Sequence, residues 1–227
     1  VTPSMWMKQQ ADKSFWGNYD VESIPNPIPD SYFLLKDRMA CKRVLNLYED
    51  KTTLLFIAGN LNEERKGSQF IKDIIESDWN SDIQILILGG STSHLNTSES
   101  IINLGFIKDE ITIQMAYNAA DLVVHPAPID NLPNTVAESL SCGTPVLAFN
   151  TGGLAEMVIP QKSGWLVDKI NSKEIIKTLK KVLNSCRSSE LRNSTRLFAK
   201  ELFNEKKIGK KYSNYSIINN KDLLRNK

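Results

Sequence analysis

From Ser31 onward, short continuous apolar runs alternate with stretches of helical periodicity, and this alternation constrains the fold more than any other feature. Leu54 to Ala58, Ile83 to Leu88, Ile101 to Phe106, Leu122 to His125, Pro145 to Phe149 and Gly164 to Val167 read as strands. Between them, Gly67 to Trp79, Glu110 to Ala120, Pro133 to Ser141 and Ser172 to Asn184 read as helices. In the first of these Phe70, Ile71, Ile74 and Ile75 share a face, and in the last Ile175, Ile176, Leu179, Val182 and Leu183 point inward. A strand that is apolar on both sides must be covered on both sides, so the predicted class is α/β with a parallel sheet between two helical layers. Ligands of such sheets bind beyond the carboxyl ends of the strands, and the loops there carry the chemical reading.

Outside this alternation the chain is less regular. Ser4 reads as the N-cap of a helix from Met5 to about Phe15. Ile24-Pro-Asn-Pro-Ile-Pro29 cannot be helical, because each proline forces its predecessor into extended geometry; a boundary or hinge is expected there. The tail from Asn204, with Lys206, Lys207, Lys210 and Lys211, reads as an exposed polar helix. At 227 residues with a formal net charge of +2, the chain has ordinary globular size and no charge excess that would call for nucleic acid. No apolar run approaches bilayer length and no leader pattern opens the chain, so a cytoplasmic location is expected. Cys41, Cys142 and Cys186 are far apart, a pattern of buried thiols rather than of a disulfide framework or zinc site.

The segment Asp130-Asn-Leu-Pro-Asn-Thr-Val-Ala-Glu138-Ser-Leu-Ser-Cys-Gly-Thr-Pro-Val146 concentrates the chemistry. It reads as a strand-end loop, a helix with Pro133 in its first turn, a Gly143 stop and a new strand. Asp130 then stands in a loop at the carboxyl edge of the sheet. Glu138 lies about one and a half turns into the helix and leans back toward the helix start, so both acids are expected to face one cleft. The helix start also offers unpaired N–H groups and about half a positive charge, which suits a phosphate.

These residues resemble the E-x7-E region of retaining glycosyltransferases of group 1 (family 4), which have the two-domain GT-B fold. Here the motif stands as Asp130-x7-Glu138, followed by Ser-Cys-Gly-Thr-Pro-Val and by Asn150-Thr-Gly-Gly-Leu-Ala-Glu156. Ile24-Pro-Asn-Pro-Ile28, Arg65-Lys66-Gly67, Leu104-Gly-Phe106 and Ser163-Gly-Trp-Leu-Val167 match further motifs in family order, from about residue 24 to 185. Val1-Thr-Pro-Ser4-Met-Trp6 is similar to the close of that family's N-terminal domain.

The resemblance implies a Rossmann-like domain, the C-terminal half of a GT-B fold. Residues 1–28 are then a remnant of the acceptor domain with its hinge, 29–203 the nucleotide-sugar-binding domain, and 204–227 a tail helix. It also implies residue roles. Glu138 holds the ribose hydroxyls, Asp130 contacts the transferred sugar, and Lys66 neutralises the diphosphate. The backbone of Asn131, Leu132, Pro133 and Asn134 approaches the distal phosphate, while Phe106 and Ile107 meet the base. Two departures stand out. Asp130 is one methylene shorter than the usual glutamate, and Asn60 stands where the family often has an arginine, with Arg65 as its expected substitute. The implied activity is retaining transfer of a hexose from a nucleotide-diphosphate sugar to a glycan or lipid-linked acceptor, with the acceptor on a missing N-terminal domain. The fragment itself is expected to be inactive. Polysaccharide biosynthesis is the implied setting, with peripheral contact at the inner face of a membrane as a secondary expectation. No metal or cofactor is expected, since there is no Asp-x-Asp cluster and Lys66 with the helix start can serve the phosphates. The alternative is a non-catalytic sugar-nucleotide-binding module.

Several residues have plainer readings. His125 closes a strand and reads as a satisfied core histidine, and His94 as a solvent-facing one. Cys142 has no positioned base and is not expected to act as a nucleophile. Gly89-Gly90 and Gly152-Gly153 are strand-end turns; no G-x-G-x-x-G or P-loop signature follows a strand.

Overall fold

The computed structural model describes residues 1–58, 63–79, 81–90 and 100–225, with side chains of the last helix described through residue 216. Asn60 and His94, singled out above, lie outside the described residues. The strands are β1 (Thr52–Ala58), β2 (Ile83–Gly89), β3 (Ile101–Asn103), β4 (Leu122–His125), β5 (Val146–Phe149) and β6 (Gly164–Val167). They form one parallel sheet in the order β3-β2-β1-β4-β5-β6. That is the order of a Rossmann-like sheet, with its topological switch point between β1 and β4.

Alternation along each strand divides the core in two. Leu55, Leu86, Leu88, Val123, Val146 and Ala148 face one side, against α2 (Arg38–Val44), α4 (Glu110–Ala119), α5 (Asn134–Ser141) and α8 (Ser189–Phe203). Leu54, Phe56, Ile85, Ile87, Leu122, Val124, Leu147 and Phe149 face the other, against α3 (Ser68–Ile75) and α7 (Ser172–Val182). Each fully buried leucine, isoleucine or phenylalanine contributes about 1.5–3 kcal/mol of transfer free energy, so neither layer is dispensable. Helix starts are fixed by side-chain caps: Asp109 accepts from Thr112 N–H at 2.8 Å and Asn171 from Glu174 N–H at 2.9 Å.

The structure shortens several expected elements, the first helix among them, which ends at Asp12 rather than near Phe15, and adds others. The third strand ends at Asn103, whose side chain accepts from Gly105 N–H at 2.8 Å, while Leu104 N–H still donates to the Ile87 carbonyl and the Gly105 carbonyl accepts from Gly89 N–H. The helix after Gly67 ends at Ile75, five residues beyond Phe70. The four-residue helix α6 (Leu154–Met157) and the long α8 had no expected counterpart. The buried residues of α8 are Leu191, Arg192, Thr195, Ala199 and Phe203, three of the five small or polar, which blurs the apolar period that signals a helix.

The two ends of the chain meet over the sheet domain. The N-terminal helix α1 (Met5–Asp12) begins at Ser4, whose hydroxyl accepts from Met7 N–H at 3.0 Å. Ile28 N–H donates to the Phe203 carbonyl at 3.1 Å, just before the tail helix α9 (Glu205–Arg225), and Tyr215 Oη donates to the Asp20 carbonyl at 3.2 Å. The tail is helical and largely exposed, but Ile208 is buried and anchors it. Among the described residues no helix is long and apolar enough to cross a membrane.

Candidate functional site

The site forms at the carboxyl ends of β1 and β4. Lys66 closes a 3-10 turn, Glu64–Lys66, that leads into α3, and Asp130 lies in the loop after β4. Gly67 brings the two segments together. It sits at φ 80°, and a Cβ there would fall 2.1 Å from the Pro126 carbonyl oxygen, so only glycine permits this approach. Lys66 Nζ is thereby placed 3.1 Å from Asp130 Oδ2, a contact that spans the switch point of the sheet.

Asp130 is well anchored. Its Oδ1 accepts from Asn131 N–H at 2.9 Å. His125, at the end of β4, places Nε2 3.3 Å from Oδ2, within ion-pair distance but out of line for a hydrogen bond. Burial pushes the Asp130 carboxyl up, yet the neighbouring His125 and Lys66 outweigh it and hold the group well below the usual carboxylate range. Asp130 is therefore ionised at neutral pH. His125 is only 7% exposed and its Nε2 has no hydrogen-bond partner among the described residues, so the expectation of a satisfied core histidine fails.

The loop is held from behind by the Asn150–Glu156 segment. A Cβ on Gly152 would lie 1.8 Å from the Asp130 carbonyl oxygen, and Gly153 N–H donates to that same oxygen at 3.1 Å. The Gly152-Gly153 turn thus approaches the protein's own backbone. Ser4 donates its hydroxyl to Asn131 Oδ1. Glu156 accepts from Met5 N–H at 2.9 Å and Trp6 N–H at 2.7 Å, carboxylate against helix start. The motif residues around Glu156 therefore shape the loop through the N-terminal helix. Leu132 and Pro133 are buried, and Asn134, exposed at the first position of α5, accepts from Asn26 Nδ2 at 3.4 Å. Pro133 occupies the N-cap position and supplies no side-chain cap, which leaves the first turn of α5 open to an acceptor.

Glu138 has different neighbours. It projects from α5 toward α4, where the buried Tyr117 hydroxyl donates to Oε2 at 2.8 Å. Burial pushes its carboxyl up; the Tyr117 hydrogen bond pulls it down and Glu110 pushes it up, with a net rise. Tyr32 is pushed up to about 12, first by burial and then by the charge of Glu138. Sequence reasoning missed Tyr117. The available signal was a tyrosine set among Ala116, Ala119 and Ala120, since a buried phenol needs a partner for its hydroxyl.

The remaining candidates are dispersed. Phe106 is 71% exposed, and the half-buried Ile107 packs on the first core. Arg65 pairs with Glu63 at 2.8 Å on the surface, away from the Lys66–Asp130 contact. Burial pushes the Cys142 thiol up to about 12, which suits a buried spectator. Among the described residues no group of three or more His, Cys, Asp or Glu could hold a metal ion. A cleft of about 900 Å³ lined by Trp165, Lys181 and Glu190 opens between β6, α7 and α8 and contains none of the candidates.

Residues 51–185 match the family model described as "Glycosyl transferases group 1". The chain belongs to that family. A glycogen synthase from Actinobacillus pleuropneumoniae is 24% identical over 181 residues, 71% of this chain and 37% of its own length. The sucrose-phosphate synthase of Thermosynechococcus elongatus superposes with a TM-score of 0.83 at 21% identity, over 100% of this chain and 58% of that one. Anabaena HepE, solved in complex with UDP, superposes with a TM-score of 0.77 at 15% identity, over 94% of this chain and 62% of that one. This group 1 glycosyltransferase chain thus spans less than two thirds of each of these proteins, and its sheet is Rossmann-like as in GT-B glycosyltransferases.

Proposed function

We propose that this chain is the donor-binding, C-terminal half of a retaining glycosyltransferase that moves a hexose from a nucleoside diphosphate sugar to a glycan or lipid-linked acceptor. The observation that carries the reading is the Lys66 ammonium held against Asp130 at the switch point. It is a cation on a flexible stem, placed where open α/β sheets bind their ligands. UDP in the HepE complex and the resemblance of the motif acids support the same reading. In this reading the glycosidic C1–O bond opens, the sugar carries developing positive charge, and the leaving diphosphate takes the electron pair. Lys66 and the uncapped start of α5 stabilise that negative charge, while Glu138 holds the ribose and Asp130 lies on the sugar side. No cofactor beyond the donor is required. The acceptor belongs to a second domain, so the 227-residue chain alone transfers no sugar. Cytoplasmic placement is part of the same reading.

Calorimetry with UDP, GDP and ADP, each beside its nucleoside, tests the reading. Lys66→Ala is expected to weaken the preferred diphosphate at least tenfold, the equivalent of about 1.5–3 kcal/mol for a charged hydrogen bond, and to spare the nucleoside. Equal losses for both ligands, or no binding of any diphosphate, would remove the assignment.

A further inference from the structure

We infer that His125 is a positioning residue that takes over the Asp130 carboxylate when Lys66 leaves it for a diphosphate. The inference rests on the reading of Lys66 as the phosphate-binding lysine. In the unliganded chain Lys66 Nζ and His125 Nε2 converge on one oxygen, Asp130 Oδ2, at 3.1 and 3.3 Å. Only the lysine is aligned to donate. Nε2 is buried and has no hydrogen-bond partner among the described residues, an arrangement that folded chains seldom keep without a use. A nitrogen without a proton would set its lone pair against the carboxylate, so Nε2 is the protonated nitrogen of the ring.

Each partner has a different freedom to move. His125 is the last residue of β4 and its backbone is paired with Ala148, so the ring has a fixed base. The Lys66 backbone is fixed by the Gly67 approach to Pro126, but its ammonium rides on four methylenes and is 29% exposed. Asp130 has its backbone clamped by Gly152 and Gly153, which leaves side-chain rotation as its available motion. When Lys66 turns to a diphosphate, Oδ1 keeps the Asn131 N–H, but Oδ2 of this largely buried carboxylate loses its aligned donor beside a second anion. A small rotation of Asp130 brings Oδ2 into line with Nε2, and the carboxylate keeps a donor while the lysine serves the ligand. His125 thus lowers the cost of releasing Lys66 without touching the ligand.

The test compares UDP and uridine binding by the full chain carrying His125→Phe, His125→Gln, Lys66→Ala and the Phe/Ala double substitution. His125→Phe is expected to weaken UDP about tenfold and to spare uridine. His125→Gln, whose amide N–H reaches about as far as Nε2, is expected to restore most of that loss. The double variant is expected to bind no worse than Lys66→Ala, because the histidine acts through the lysine. The chain has two histidines, so nitrogen NMR of the imidazoles, with His94→Gln for assignment, supplies a readout on the unaltered site. UDP is expected to move the His125 Nε2–H signal, and uridine to leave it in place. If the Phe variant fails to fold, the Gln variant and the NMR signal decide. Losses additive with Lys66→Ala, a uridine loss equal to that for UDP, or an Nε2 signal indifferent to UDP would overturn the inference. If Lys66→Ala itself spares UDP, the reading of the site falls first; if only the His125 arms fail, the site stands and this role does not.

Discussion

Glu138 shows how one residue meets opposing demands. Its carboxyl is buried enough to be pushed up, and the Tyr117 hydroxyl and Glu110 adjust it in opposite directions. A carboxyl whose folded value lies above its unfolded value binds more protons in the folded state across that window. Stability therefore falls as pH rises through it, and ionised Glu138 is a net cost to the unliganded fold at neutral pH. Glu138→Gln keeps an acceptor for Tyr117 and removes the charge. It is expected to raise the unliganded melting temperature at pH 7–8, a gain that disappears in acid where Glu138 is neutral, and to weaken a nucleoside diphosphate tenfold or more. Melting curves across pH beside calorimetry check both signs; a lower melting temperature with unchanged affinity would make Glu138 a structural acid. Tyr117→Phe removes the donor and leaves the acid in place. A loss of about 1 kcal/mol in stability and a several-fold loss in diphosphate affinity are expected, measured by urea unfolding and calorimetry.

At the scale of elements, the site depends on how closely turns approach one another. The turn before α3 and the loop after β4 touch because Gly67 has no side chain to meet the Pro126 carbonyl. Gly67→Ala adds both a left-handed strain and a 2.1 Å clash, so the turn must retreat from β4 and carry Lys66 with it. Chemical denaturation is expected to show a loss of about 1–3 kcal/mol, and diphosphate affinity should fall with it. Unchanged affinity in a folded variant would mean that Lys66 does not need this turn. Gly152 plays the matching part on the other side of the loop, where α6 and the start of α1 supply the backing.

Over the whole molecule, β1 and β4 carry a cluster of charges at each end, separated along β4 by about 13 Å of extended chain between Asp121 and His125. At the carboxyl ends stand Lys66, Asp130 and His125. At the amino ends the fully buried Asp121 accepts from Thr53 N–H at 2.9 Å and pairs with Lys42 at 3.2 Å and with Arg38. Burial lowers the Lys42 ammonium, with Asp121 working against that loss, and its Nζ also donates to the Lys51 carbonyl at 2.6 Å. This second cluster ties α2 to the strand pair. Asp121→Asn leaves buried cations short of an anion and is expected to cost about 3–5 kcal/mol. Under conditions where the variant remains folded, diphosphate affinity should be unchanged. A large affinity loss there would show that the two ends are coupled.

The strand pattern was legible in the sequence because buried parallel strands are apolar on both faces, and β1, β2, β4, β5 and β6 lie within two residues of where the runs place them. The motif spacing likewise placed Asp130 in a loop and Glu138 within α5. The four-residue α6 was not legible because one turn is too short to show a period, and α8 was not because its buried face mixes in small and polar residues that weaken the helical period. Partners were beyond reach for a different reason. Lys66 and Asp130 are 64 residues apart, Tyr117 and Glu138 are 21 apart, and Ser4 and Asn131 are 127 apart. Nothing local in a sequence records such distances; strand order and the glycine contacts that let backbones close on one another decide them. So the sequence determined the kinds of groups available at the strand ends, while only the folded sheet decided that Asp130 would be shared by a lysine and a histidine, and Glu138 held by a buried tyrosine.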